Sequence, residues 1–355
     1  MLRKLIIKNI NELIENQADW NDLWVRSNQR SANHRAEIVA LNAEHFFEPN
    51  DFRALAIYDG QKMVAALPLR TAKRLVMGSM GYSLGNPCSP VGTLLLDHES
   101  DLAEVGAALV SGLRTMGLDY LKLDWFDLTQ AASQWLVELA GSNGLACWTK
   151  KPHEVAVIQV PTGGNVLEHA SSNHRKKLRR WRRDLEGQGA VRLEEFSTDS
   201  PVCLEAFGRA LEIELASWKG AAGSAILSNK NEHRYWNTWR KSLSKAGLFR
   251  LYQLKVGDRP IAFDFGYQVG DVYTSVKISH LEEFAQIGVG HVRDWFLLER
   301  LSEQNVSKID TLAANAEIKW PAETYSVGRV VMSLGSWLGD AQVTLWGAIS
   351  RAAGR

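Results

Sequence analysis

Strand-like and helix-like segments alternate along the chain, and this alternation limits the folds that its 355 residues can adopt. Residues 54–70, "ALAIYDGQKMVAALPLR", form two apolar runs around an Asp-Gly pair, which is the pattern of a β-hairpin. The segments that follow are predicted to be a helix, a strand, a helix and two short strands, near residues 101–117, 120–126, 129–141, 145–149 and 154–160. This order predicts an α/β (α+β) fold, with a mixed twisted sheet flanked by helices.

The second half of the chain repeats a similar order. Its predicted elements are two helices, three strands, a helix and a strand, near residues 199–217, 231–246, 248–256, 260–269, 271–279, 290–304 and 307–312. At an offset of 197 residues, Gly60-Gln-Lys-Met-Val-Ala65 aligns with Gly257-Asp-Arg-Pro-Ile-Ala262. Unrelated hairpins have similar turn residues, so this match indicates a duplication only together with the common order of elements. We predict two similar domains in tandem, at residues 1–160 and 161–355, with the junction at "PTGG".

A basic run is the most unusual local feature of the sequence. Seven of the nine residues in 175–183 are Lys or Arg, whereas the rest of the chain holds 34 basic and 40 acidic residues. A non-specific nucleic-acid binder spreads positive charge over a whole face, so nucleic acid is not the expected partner. As a helix over 174–186, the run would place Leu178, Trp181 and Leu185 on one apolar stripe. Arg179 and the other cations would then face solvent or a phosphorylated ligand.

Cysteine usage and hydropathy narrow the class of protein further. Cys88, Cys147 and Cys203 share no metal-like spacing, so we expect reduced thiols and no metal site. No stretch approaches the roughly 20 apolar residues that span a bilayer. The N-terminal "LII" is far shorter than the core of a signal peptide. We expect a cytoplasmic protein without a membrane span.

A glycine-containing turn precedes the helix predicted near 290–304. Gly288 and Gly290 in "FAQIGVGHVRDWFLL" would let several backbone N–H groups point into one concavity at the positive end of the helix dipole. Such a turn can hold a pyrophosphate, with His291 and Arg293 adding charge. The alternative is an ordinary turn and cap. The sequence is neither a Walker loop nor the dinucleotide-binding G-x-G-x-x-G.

The first half differs at the corresponding place. Asp97, Glu99 and Asp101 precede its helix, and carboxylates there would cap the helix but repel a phosphate. If the halves are duplicates, only the second half is expected to keep an anion site.

Several stretches of the second half resemble the CelD-like acyltransferases of the GNAT superfamily. These proteins carry names linked to cellulose and exopolysaccharide biosynthesis and are related to the Fem-type peptidyltransferases. The matching stretches are Arg175–Glu186, Glu214–Ile226, Arg259–Gly266, Tyr273–Lys277 and Gln286–Gly290. The first half matches only loosely, as a degenerate domain would.

The resemblance implies tandem acyl-CoA N-acyltransferase domains, with acetyl-CoA or another acyl-CoA as co-substrate. The acyl-CoA pyrophosphate would bind at Gln286, Gly288, Gly290, His291 and Arg293. The family turn is Q/R-x-x-G-x-G/A, and Gln286 stands one residue closer to Gly288 than this pattern requires. The basic run would meet the 3′-phosphate of CoA or a phosphorylated acceptor.

N-acyl transfer needs a general base, a polarised carbonyl and help for the departing thiolate. Asp264, between Phe263 and Phe265, would have its pKa raised by desolvation and is the first candidate base. The alternatives are a carboxylate at the surface or one paired with Lys277. His280 is the second candidate base, and Tyr273 could protonate the thiolate. The resemblance assigns the oxyanion-stabilising splayed strand to residues 262–268.

The acceptor is expected to contact Trp218, Lys219, Lys277 and Arg179. "ASWKG" is the strongest of the family-like motifs, although Trp218 could instead pack in the core and Lys219 complement the dipole of a helix capped by Gly220. The expected function is acyl transfer to an amine of a sugar, amino acid or related metabolite. The alternatives are a Fem-type aminoacyl-tRNA-dependent transferase, a nucleic-acid-binding protein, and a catalytically inactive scaffold for exopolysaccharide assembly.

Overall fold

A computed structural model describes residues 2–29, 31–48, 50–74, 77–85, 92, 94–163, 165–314 and 317–352. The chain divides into two compact units. The first contains Met1–Gln29, Asn33–Glu154 and Tyr325–Arg355, and the second contains Arg30–Ala32 and Val155–Thr324. Residues 325–355, predicted to lie in the second domain, belong to the first unit.

Eleven α-helices and thirteen strands are formed by the described residues. The helices are α1 Ile10–Glu15, α2 Gln17–Arg26, α3 Ala36–Phe46, α4 Leu102–Thr115, α5 Ala131–Ser142, α6 Ser172–Glu186, α7 Pro201–Leu215, α8 Trp218–Ala221, α9 Lys230–Lys245, α10 Val289–Glu303 and α11 Trp337–Ala352. The strands are β1 Arg3–Ile7, β2 Phe52–Asp59, β3 Lys62–Arg74, β4 Gly78–Tyr82, β5 Leu95–Leu96, β6 Tyr120–Asp127, β7 Cys147–Gln159, β8 Val191–Phe196, β9 Phe249–Val256, β10 Arg259–Val269, β11 Val272–His280, β12 Lys308–Ala314 and β13 Ala322–Ser333. This is the predicted α/β architecture of mixed sheets and flanking helices.

In the first unit, the strands follow the order β1-β2-β3-β4-β6-β13, with β5 beside β3. All neighbours are antiparallel except β4 and β6, which are parallel. Alternate residues of these strands pack against α4 and α5, which bury Leu109, Leu113 and Leu136. The core of this unit therefore lies between the sheet and the helices that follow β5 and β6.

In the second unit, the strand order is β7-β12-β11-β10-β9-β8, and only the β11–β12 pair is parallel. Successive side chains of a strand point to opposite faces, so two separate cores form. On one face, α6 and α10 bury Leu178, Trp295 and Leu298 against Tyr252 and Tyr273. On the other, aromatic side chains of α7 and α9 contact those of β9 and β10, namely Phe207, Trp236, Trp239, Phe249, Phe265 and Tyr267.

The two units repeat one arrangement of hairpin, third strand, helix and parallel strand. The hairpin turns hold Gly60 and Gly257 at φ of 57° and 58°, a backbone conformation that favours glycine. Each parallel register covers three residue pairs. Shortly after it, each parallel strand contains a residue with positive φ and a register shift against its antiparallel neighbour; these residues are Trp125 at 52° and Leu312 at 49°. The repetition extends from the hairpin to this irregularity.

Three local predictions differ from the structure. The two short strands expected near 145–149 and 154–160 are the single strand β7. The helix expected over 199–217 ends at Leu215, and α8 is a separate turn whose N-cap is Ser217. Gly220 lies within α8 rather than at a C-cap. A Cβ atom there would overlap the carbonyl oxygen of Leu215, so this position requires glycine.

The remaining composition-based expectations concern cysteines, metals and membranes. Cys147 and Cys203 are free thiols, and Cys88 lies outside the described residues. Within the described ranges, no group of three or more His, Cys, Asp or Glu side chains could hold a metal ion. None of the helices in the described segments combines the length and the apolar character needed to cross a bilayer.

Candidate functional site

The parallel strands β11 and β12 separate after a short stretch of pairing. In the described part of the chain their register ends at Thr274 and Asp310, although β11 continues to His280 and β12 to Ala314. Beyond this point β11 remains paired with β10 on its other edge, as far as His280 opposite Ala262. One edge of the β11 backbone therefore faces an opening in the sheet, where N–H groups could stabilise a carbonyl oxygen.

This opening lies beside β11 and not beside residues 262–268, which the family resemblance implies as the splayed strand. β10 is paired with β9 from Arg259 to Tyr267 and with β11 from Ala262 to Val269, so both of its edges are occupied. A bulge on β11 opposite Phe265 and Gly266 shifts the register at the start of the opening. Gly266 is required there, because a Cβ atom would overlap the carbonyl oxygen of Thr274.

Helix α10 begins next to the end of β11. Its N-cap is Gly288, which has φ of 61° and provides no side-chain cap. The first N–H groups of a helix have no carbonyl acceptor within the helix, so they can donate hydrogen bonds to an anion. A Cβ atom on Gly290 would lie 3.9 Å from Nδ1 of His280. The start of α10 and the last residue of β11 thus form one local site.

Trp181 of α6 packs on this turn. A Cβ atom on Gly288 would lie 2.5 Å from Cδ2 of the Trp181 indole. The same indole stacks on His291, with ring centroids 5.4 Å apart and planes inclined by 9°. Gly288 is therefore required by close packing as well as by its positive φ.

The other residues predicted to bind the cofactor are placed differently. Gln286 is exposed on the short 3-10 helix Glu282–Ile287 that precedes α10. Arg293 is 5% exposed, forms an ion pair with Asp294 and donates to the carbonyl of Phe263 at 3.4 Å. Its guanidinium therefore lies beneath α10, where a pyrophosphate at the turn would not reach it directly.

Asp264 and Tyr273 are buried together. The Tyr273 hydroxyl donates to Asp264 at 2.7 Å, and the Ser275 hydroxyl lies 2.9 Å from each carboxylate oxygen. Burial raises the pKa of Asp264, which agrees with the direction expected from its apolar neighbours, and it raises that of Tyr273 well above the ordinary value. Asp264 does not pair with Lys277, and neither Asp264 nor Tyr273 is exposed to a substrate in this conformation.

His280 is the predicted base that borders the opening. It is partly exposed, and burial, Arg293 and Lys219 together hold its pKa below the usual 6.5. A histidine with a lowered pKa is neutral near pH 7 and can accept a proton. Of the three predicted catalytic residues, His280 is partly exposed, whereas Asp264 and Tyr273 are buried.

Lys219 and Lys277 converge on one carboxylate that the sequence analysis did not single out. Glu214 of α7 is 0% exposed, and its Oε1 lies 3.3 Å from Nζ of Lys219 and 3.9 Å from Nζ of Lys277. Lys219 also donates to the carbonyl of Ile278 on β11 at 2.7 Å. Trp218 does not pack in the core, since it is 61% exposed.

The basic run forms α6, as predicted, and Gly187 is its C-cap. Leu178 and Leu185 are buried, and Arg182 pairs with Glu186 at 2.8 Å. Arg179 is exposed, as are Lys176, Lys177, Arg180 and Arg183, whereas Arg175 and Arg182 are half-buried. Arg179 is thus on the solvent face of α6 rather than with Lys219 and Lys277.

Three residues of the site were missed as functional candidates. Ser275 lies within the family-like stretch Tyr273–Lys277, and Glu214 begins the stretch Glu214–Ile226. The available signal for Glu214 was a carboxylate next to apolar residues in "EIELASW". His174 is 8% exposed, with its Nε2 unpartnered, and its ring contacts Trp181, His291 and Trp320. No signal in the sequence distinguished His174 from the other polar residues of the basic helix.

Several proteins of known structure are similar to this chain in fold. FemX has 10% sequence identity over 93% of this chain and 96% of its own, with a TM-score of 0.60. The C-terminal domain of a protein described as a lysylphosphatidylglycerol synthetase, from Agrobacterium fabrum, has 12% identity over 95% and 96%, with a TM-score of 0.53. L-PGS from Bacillus licheniformis has 11% identity over the same shares, with a TM-score of 0.51.

The TM-scores above 0.5 show a shared fold, and the coverage of 93–95% includes residues of both units. A search of curated proteins found no match. The family comparison is more specific, because the model of the acetyltransferase (GNAT) domain matches residues 172–320, which include α6, the β11–β12 opening and α10. The second unit therefore has the GNAT-type acyltransferase fold.

Proposed function

We propose that the chain is an acyl-CoA-dependent N-acyltransferase, acting at the β11–β12 opening on an amine of a small molecule such as an amino sugar or amino acid. The observation that carries this proposal is the opening itself, which lies beside the uncapped start of α10 within the GNAT-matching segment. Acetyl-CoA is the proposed donor. The CelD-like resemblance adds exopolysaccharide biosynthesis as the proposed setting.

The proposed chemistry uses the residues that border the opening. The nitrogen of the acceptor amine attacks the thioester carbonyl, and His280 accepts a proton from this amine. Backbone N–H groups on the open edge of β11 stabilise the carbonyl oxygen as negative charge develops on it. The C–N bond forms, the C–S bond breaks, and the proton held by His280 passes to the departing thiolate. Asp264 and Tyr273 support β10 and β11 from within the core.

We propose that the first unit has no acyl-CoA site. Asp101 is the N-cap of α4, and its carboxylate accepts from the amides of Ala103 and Glu104, each at 3.0 Å. The helix that corresponds to α10 is therefore already occupied by an anionic side chain, which would repel a pyrophosphate. This supports the assignment of catalysis to the second unit.

Calorimetric titration with acetyl-CoA tests the proposal. Wild-type protein should bind it, and Gly290→Glu should abolish binding, because a carboxylate enters the start of α10. Gly208→Glu is the matched control, since Gly208 is exposed on α7 and nothing lies within 4 Å of its Cβ position. Trp181→Ala should tighten binding by uncovering the turn. Absence of binding by acetyl-CoA and by longer acyl-CoAs would refute the proposal.

The exposed cations of α6 favour one second candidate, a Fem-type aminoacyl-tRNA-dependent transferase. FemX shares the fold, and two further neighbours with this fold are named for lysylphosphatidylglycerol synthesis or as L-PGS. This candidate predicts tRNA binding that weakens steeply with salt and is lost on reversing the charges of Arg179 and Arg180. Binding of tRNA without any binding of acyl-CoA would favour it.

A further inference from the structure

Glu214 and its two lysines form a charged cluster that the proposed chemistry leaves unused. The Glu214 carboxylate is fully buried, and its Oε2 accepts the amide N–H of Ile226 at 2.9 Å. Its Oε1 lies 3.3 Å from Nζ of Lys219 and 3.9 Å from Nζ of Lys277. Two ammonium groups therefore share one carboxylate oxygen, and the hydrogen bond from the Ile226 amide to the other oxygen fixes the carboxylate.

The cluster has two positive charges and one negative charge, and its lysines are partly exposed to solvent. The side chains of Lys219 and Lys277 are 19% and 22% exposed to solvent, whereas that of Glu214 is 0% exposed. Burial is the main reason that the pKa of Lys219 is lowered, and Lys277 and Arg293 lower it further. Lys277 also lies over the ring of Trp236, at 5.5 Å from its centroid. A second anion would be stabilised by the excess positive charge.

The cluster is also held at the strand that borders the opening. Lys219 donates to the carbonyl of Ile278, two residues before His280 on β11. Two residues of a strand span roughly 7 Å. An anionic group at the lysines could therefore belong to the same small molecule as an amine near His280. The exposed ring of Trp218 adds an apolar surface next to Lys219 in the chain.

We propose that Lys219 and Lys277 bind a carboxylate or phosphate group of the acceptor, so that the acceptor is an amine that itself carries an anionic group. This inference rests on the proposed function, because it names the substrate class of the same site. Glu214 is a positioning residue in this arrangement. It holds both ammonium groups beside β11 without exposing its own negative charge.

Acetylation kinetics with paired acceptors test the proposal. β-Alanine and γ-aminobutyrate supply a carboxylate, O-phosphoethanolamine supplies a phosphate, and 3-aminopropanol is a neutral counterpart. Wild-type protein should prefer the anionic amines. Lys219→Met and Lys277→Met should each raise KM for them by about tenfold, the loss expected for a charge-assisted hydrogen bond, so that the preference for anionic amines over 3-aminopropanol falls by about the same factor. Lys241→Met, at an exposed lysine of α9, is the matched control.

Direct titration with inorganic phosphate and with acetate separates this inference from the proposed function. Wild-type protein should bind one of these anions, and the lysine variants should bind it about tenfold more weakly. Equal binding by wild type and variants would overturn the inference, as would equal use of neutral and anionic amines. A rise in KM for acetyl-CoA alone would assign the lysines to the donor and also overturn it. Loss of acyl-CoA binding in the wild type would instead refute the proposed function.

Discussion

Tyr273 donates a 2.7 Å hydrogen bond to Asp264, and both side chains are excluded from solvent. Because Ser275 supplies the other hydroxyl, Asp264 is held by two neighbouring β11 residues instead of facing the opening. The pair is therefore expected to act on stability. A buried carboxylate that loses a donor pays a desolvation cost that the hydrogen bond had offset.

Tyr273→Phe should lower the free energy of unfolding by about 1–3 kcal/mol, because the Asp264 carboxylate loses its shortest hydrogen bond. Denaturant titration measures this loss. Tyr252→Phe is a suitable control, since Tyr252 is equally buried but its hydroxyl lies 3.5 Å from its partner Gln304. If both variants lose the same free energy, the Asp264 hydrogen bond has no special role.

Gly288→Ala should destabilise the protein for two separable reasons. The positive φ costs about 1–2 kcal/mol for a residue with a Cβ atom, and overpacking against Trp181 costs about 1–3 kcal/mol more. In a Trp181→Ala background only the first cost should remain. A double-mutant cycle on unfolding free energies measures the difference, and strict additivity would contradict the packing contact.

The local elements were predictable because their signals lie within short stretches of sequence. The Asp-Gly turn at Gly60 and its counterpart at Gly257 defined the two hairpins, and periodicity defined α4, α7 and α10. The raised pKa of Asp264 was also foreseen, from its apolar neighbours on β10. These features depend on contacts within a few residues or on one alternating strand.

Features that depend on register could not be predicted from the same signals. The β11–β12 opening arises where two strands separated by a helix stop pairing, and nothing local marks Thr274 as the last paired residue. The meeting of Lys277 with Glu214 joins residues 63 positions apart. Similarly, β13 pairs with β6 across about 200 residues, and no local signal assigns residues 325–355 to the first unit.

Acidification should weaken the protein through His174. Its pKa is held below 6.5 by burial first and then by His291, Lys319 and Lys177, with Asp294 acting in the opposite direction. A lowered folded-state pKa means that stability is fully present above about 6.5 and is lost as pH falls through the folded value. His174→Phe should therefore flatten the decline of unfolding free energy between pH 7 and pH 5.

Denaturant titrations at several pH values measure this slope. His233→Phe provides a comparison at a histidine of α9, away from the contacts of His174 with Trp181, His291 and Trp320. An unchanged slope in His174→Phe, with the same decline as the wild type, would show that other groups cause the acid sensitivity.

The pH dependence of catalysis should report on His280. Burial, Arg293 and Lys219 lower its pKa, so its neutral form persists below pH 6.5 and kcat should decline only at lower pH. Lys219→Met removes one of these positive charges and should move the acidic limb of the kcat profile toward higher pH, while His280→Gln should remove that limb and lower kcat by about 100-fold or more. Stopped assays at saturating acetyl-CoA and acceptor, from pH 5 to pH 9, measure both changes. A limb that stays fixed in Lys219→Met and survives in His280→Gln would assign the general base to another residue.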